Sequence, residues 1–111
     1  MRMLRLTLAV MAAAAMIAPL AAQNPEADLQ RAIQREEANG DLRAAIAEYQ
    51  RIVAVSAASN PRVAARALLR QGDAHRSLGE TARARSADER ILREFPAEPA
   101  AMSLRPVLNA A

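Results

Sequence analysis

His75 is the only histidine in the chain, so any histidine chemistry must be done by it alone. A metal site would need further His or Cys ligands, and the chain has no second histidine and no cysteine. The nearest acids on its helix face, Asp73 and Glu80, do not have the spacing of a catalytic partner. A packing role is expected for it. Two carboxylate pairs, Glu36-Glu37 and Asp88-Glu89, are the other candidates. Neighbours on a helix point in different directions, so neither pair can work as acid and base on one substrate. They are expected to be solvated surface with pairing four residues apart, such as Glu89 with Arg93 or Arg85. No Ser-His-Asp set and no Gly-rich phosphate loop can be assembled. The sequence thus offers no catalytic residue, no metal ligand set and no cofactor site, and an enzyme is not expected.

The basic residues lead to the same place. All 15 are arginine. They alternate with Glu and Asp, and the only aromatics are Tyr49 and Phe95. A nucleic-acid surface would want a basic face with interleaved aromatics, so no nucleic acid is expected as a partner. The formal charge of +3 falls to 3 − 2 = +1 once Arg2 and Arg5 are set apart. Those two open a segment that reads as a secretory signal peptide. A basic start is followed by apolar residues from Leu6 to Ile17, then Pro19 and the small run Leu20-Ala21-Ala22. Residues 1–22 are assigned to it, with cleavage after Ala22, and Ala21 or Gln23 as the alternative sites. The apolar run is short of the roughly 20 residues of a membrane span, so no stable span is expected after cleavage. A periplasmic or secreted location follows as an expectation. The absence of cysteine excludes a disulfide scaffold and a lipid on an N-terminal cysteine. The mature part, 111 − 22 = 89 residues, is one small domain that must fold on apolar burial.

Four helices carry the pattern. Asn24-Pro25-Glu26 is a good helix start, followed by Leu29, Ala32, Ile33 and Glu36 at helical spacing. Asn39-Gly40 ends that helix and Asp41 caps the next. The second helix has Leu42, Ala45, Ile46, Tyr49, Ile52 and Val53 on one stripe. Residues 54–60 are expected to be loop. Asn60-Pro61 then starts a long helix to Leu78, with Val63, Ala64, Ala67, Leu68, Gly72, His75 and Leu78 inward. Gly72 lies in its middle and costs about 1 kcal/mol against Ala, so a close neighbour is expected there. The fourth helix, residues 80–95, has Ala82, Ala84, Ala87, Ile91, Leu92 and Phe95, and Pro96 stops it. Residues 97–111 form a capping segment, with a short helix from about Pro99 to Leu104 and then a frayed end.

The two halves repeat. Aligned on Gly40 and Gly79, an offset of 79 − 40 = 39 residues, Ala45 matches Ala84 and Ile52 matches Ile91. The second unit, with Leu68, Gly72, Gly79, Ala84, Ile91 and Pro96, resembles the tetratricopeptide repeat. The first resembles it through Gly40, Ala45, Tyr49 and Ile52. The wording around Gly40-Asp41-Leu42, Ala65-Arg66-Ala67-Leu68 and Arg93-Glu94-Phe95-Pro96 is similar to exported bacterial proteins of that type. Three positions depart: Asp88 stands where an aromatic is expected, Ile33 where a small residue is, and Ala57 where a closing Pro is. The resemblance implies an all-α fold of two stacked antiparallel helix hairpins over residues 23–96. It also gives His75 a semi-buried aromatic position, and it implies thinned packing around Asp88.

By the same resemblance, the first helix of each pair lines a concave groove. Gln30, Gln34 and Glu37 are expected there from the first unit, and Arg66, Leu69, Asp73 and Arg76 from the second. Arginine grips carboxylates in a fork geometry, so the occupant would be a protein or peptide segment with an acidic group. The expected function is a non-catalytic protein-interaction module of the bacterial cell envelope. The alternative is a truncated N-terminal structural module of a larger exported protein, docking on a missing domain or self-associating.

Overall fold

A computed structural model describes residues 24–110, with side chains described as far as Pro106. The expected signal segment, residues 1–22, lies outside the described residues. Within them the protein is all-α, built from α1 (Pro25–Asn39), α2 (Leu42–Ser56), α3 (Pro61–Ser77), α4 (Thr81–Glu94) and α5 (Pro99–Ala110). The starts of the first three helices are fixed locally. Asn24, Asp41 and Asn60 each accept a hydrogen bond from the backbone N–H three residues on, at 3.3, 3.1 and 3.3 Å. Pro25 and Pro61 follow at the first helical position, where a missing N–H costs nothing. The two hairpin turns sit at Gly40, φ +67°, and Gly79, φ +77°, a left-handed conformation that strains any residue with a Cβ. The hairpins α1/α2 and α3/α4 follow from these short joints, as the 39-residue offset requires.

The core runs through both hairpins. Leu29 and Ala32 of α1, Ala45, Tyr49, Ile52 and Val53 of α2, and Val63, Ala64, Ala67 and Leu68 of α3 are all buried. Ala87 and Ile91 of α4 and Phe95 close it from the other side. Burying a side chain such as Leu29, Ile52 or Ile91 stabilises by roughly 1.5–3 kcal/mol. α3 touches all four other helices, which explains why it buries Ala65 and Ala74 beyond its expected stripe.

Two boundaries and one facing differ from the sequence expectation. α2 runs to Ser56, three residues into the expected loop. Nothing in Ala54-Val55-Ser56 breaks a helix, and the buried Ser56 hydroxyl is satisfied by the Ile52 carbonyl at 2.6 Å. In α4, Ala82 is exposed rather than inward. The buried residues there are Ala84, Ala87, Asp88 and Ile91, and a residue two before Ala84 is turned about 200° away from it. The expected short cap is instead a helix of 12 residues. Ala100, Ala101 and Leu104 bury its inner face, and it continues through Pro106, which withholds one donor from the Met102 carbonyl. Met102 is exposed, so water can take that acceptor.

Asp88 is the main surprise in the packing. It is 2 % exposed, and Oδ2 accepts a hydrogen bond from Arg76 Nη1 at 2.7 Å. A Cβ built on Gly72 would stand 2.8 Å from Asp88 Oδ1 and 3.6 Å from the Ala84 carbonyl oxygen. The close neighbour expected at Gly72 is therefore α4, and its nearest atom is the Asp88 carboxylate. This carboxylate, with its arginine, occupies the place the resemblance reserves for an aromatic ring.

Candidate functional site

Arg66 of α3 pairs with Glu26 of α1 and also lines a cleft against α5, so α1 and α5 flank one face of α3. The α1–α3 half of it is closed by ion pairs. Arg66 Nη1 lies 3.1 Å from Glu26 Oε2, and Arg70 Nη2 lies 3.3 Å from Glu36 Oε1 and 3.7 Å from Glu37 Oε2. Beneath them the Tyr49 hydroxyl donates to Glu36 Oε1 at 2.5 Å, which ties α2 into the same network. Burial, and then the Glu36 hydrogen bond, push the Tyr49 hydroxyl up to about 12. Tyr49 therefore stays a neutral donor throughout the physiological range.

The α3–α5 half is open. A cleft of ≈ 330 Å³ is lined by Arg62, Arg66 and Leu69 from α3 and by Glu98, Pro99, Ala100 and Ser103 across it. Arg62 and Glu98 make no ion pair among the described residues. The cleft thus has an apolar floor of Leu69, Pro99 and Ala100, with one free cation and one free anion on its walls.

The structure brings Arg66 and Leu69 together in this cleft. Gln30 and Gln34 are exposed on α1, outside it, and Glu37 is exposed beside Arg70. Asp73 and Arg76 form a separate pair at the far end of α3, 2.7 Å apart. Arg76 divides its guanidinium between Asp73 and the buried Asp88, and these hydrogen bonds, that to Asp88 first, hold its proton more tightly than usual. Arg62, Glu98 and Ser103 were not foreseen in the groove. The signal that could have found them is Ala100, Ala101 and Leu104, whose helical spacing after Pro99 marks a full helix rather than a cap.

His75 is 4 % exposed and packs, as expected. Its partnering with Glu80 was set aside on spacing and is corrected here. The Gly79 turn folds Glu80 back, so that its Oε1 stands 2.8 Å from His75 Nδ1. Its Oε2 accepts from Arg43 Nη2 of α2 at 2.6 Å. The Arg43 hydrogen bond, and then that of His75, draw the Glu80 carboxyl down to about 2. Glu80 caps nothing with its side chain, unlike Asp41 at the matching turn, because it is spent on these two partners. The expected Glu89 pairing is also replaced: Arg90 Nε and Arg93 Nη2 both go to Glu94, at 3.1 and 3.4 Å. Among the described residues no group of three or more His, Asp or Glu could hold a metal ion, and no helix is long and apolar enough to cross a membrane.

Residues 66–97 match the tetratricopeptide repeat family, which covers most of the second hairpin and the turn after it. Repeats of that kind are generally non-catalytic and mediate protein–protein interaction. No curated protein and no solved structure matches the chain.

Proposed function

We propose that this chain is a non-catalytic interaction module of the bacterial cell envelope that takes an extended peptide segment in the cleft between α3 and α5. The observation that carries this reading is the cleft itself: an apolar floor flanked by the unpaired Arg62 and by Arg66, whose side chain is 39 % exposed. An acidic side chain of the partner fits opposite these two guanidiniums, and a short apolar side chain fits over Leu69 and Ala100. Glu98 selects against a wholly acidic segment and favours one with a basic residue nearby. The α1–α3 half, already neutralised by Glu26, Glu36 and Glu37, adds shape rather than charge.

The test is a peptide-display selection against the mature chain, followed by calorimetry on the selected peptides. Arg62→Ala and Arg66→Ala are each expected to weaken binding about tenfold, the worth of one charge-assisted hydrogen bond. Arg76 is not a suitable probe, because its loss would disturb Asp88. If both variants bind with unchanged affinity, the cleft is not the site. The location has its own test. Mass spectrometry of the protein recovered from a bacterial periplasm is expected to give a chain beginning at Gln23, and recovery of an intact Met1 in the cytoplasm alone would exclude export.

A further inference from the structure

On the other side of α3 lies a second concavity, between α2, α3 and α4. It measures ≈ 470 Å³ and is lined by Gln50, Gln71, His75, Arg83, Ser86, Glu89, Arg90 and Arg93. We propose that this cavity binds a compact oxyanion, a carboxylate or a phosphate-like group, with Arg83 as its main grip and Arg90 and Arg93 beside it.

Three observations support this. Arg83 forms no ion pair among the described residues, and its charge is felt by Glu80. Arg90 commits only its Nε to Glu94, and Arg93 only one terminal nitrogen, which leaves donors on both for a ligand. Positions 83, 86, 90 and 93 recur every three or four residues, so one stripe of α4, about 15 Å long, presents three guanidiniums and a hydroxyl to the same cavity.

The full chain would be titrated with sodium sulfate and, separately, with sodium succinate, while following backbone and arginine-side-chain resonances, with sodium chloride at matched ionic strength as reference. The expected result is saturable shifts at Gln71, Ser86 and Arg83 with at least one of the two oxyanions. The tighter of the two identifies the ligand as phosphate-like or carboxylate. Arg83→Gln is expected to weaken that binding about tenfold. Arg62→Ala, in the other cleft, is expected to leave it unchanged. Shifts that chloride reproduces, absence of saturation with both oxyanions, or an unaltered affinity in Arg83→Gln would overturn the proposal.

Discussion

Arg76→Ala is expected to destabilise the protein by about 2 kcal/mol at neutral pH, more than Asp88→Ala does, although Asp88 is the buried partner. Asp88 is 2 % exposed and has one hydrogen-bonded oxygen; Oδ1 has none. Removing Arg76 strands this carboxylate in the core. Breaking a fully buried pair in this way costs about 3–5 kcal/mol, and the Arg76 side chain is 43 % exposed, so solvent screening reduces the figure to about 2 kcal/mol. Removing Asp88 instead leaves a guanidinium that keeps Asp73 at 2.7 Å and can turn to water. That change is expected to cost about 1 kcal/mol, the lost hydrogen bond and a small void. In a domain of this size each kcal/mol moves Tm by roughly 4–8 °C, so the two variants separate clearly in thermal unfolding. Equal costs, or a larger cost for Asp88→Ala, would mean that Arg76 does not neutralise the core carboxylate.

The second large effect is a change of sign at Gly72. In most helix interiors Gly→Ala stabilises by about 1 kcal/mol. Here the new methyl would meet Asp88 Oδ1 at 2.8 Å, closer than any relaxed contact. The carboxylate is held by Arg76, so it can yield only by lengthening the 2.7 Å hydrogen bond. Gly72→Ala is therefore expected to destabilise by about 1–2 kcal/mol. In the Asp88→Ala background the obstacle is gone, and the remaining neighbours are Arg76 Nη2 at 3.5 Å and the Ala84 carbonyl oxygen at 3.6 Å, both ordinary contacts. There the same substitution is expected to stabilise, by up to about 1 kcal/mol. Urea unfolding of the four proteins in this cycle checks it. A stabilising Gly72→Ala in the parent chain would show that Asp88 does not set the space above Gly72.

Local features of the fold were legible because they are written in adjacent residues. Asn24-Pro25, Gly40-Asp41, Asn60-Pro61 and Gly79-Glu80 each settle a boundary through a cap or a left-handed turn. The stripe from Ala45 to Val53 gives the buried face of α2 by period alone. What escaped depends on register between helices. Arg76 meets Asp88 only because the hairpin brings positions 12 residues apart to the same level. Helix-face spacing said nothing of His75 and Glu80, since the chain reverses between them. α5 was read too short because Pro106 looks like a stop, whereas the packing of Ala101 and Leu104 overrides one lost backbone bond. Of the groove, Arg66 and Leu69 were legible from the pattern, but their neighbours Arg62, Glu98 and Ser103 needed α5 in place.

The position of α3 has a consequence for cooperativity. Repeat arrays usually couple only neighbour to neighbour, so their end units can open independently. Here one helix contacts every other described helix, α1 and α2 before it and α4 and α5 after it. Opening either hairpin strips apolar cover from the same central element, whose Val63, Ala64, Ala65 and Ala67 are all fully enclosed. The two copies therefore unfold as one unit, and a disturbance at either face of α3 reaches the other through a single rigid rod.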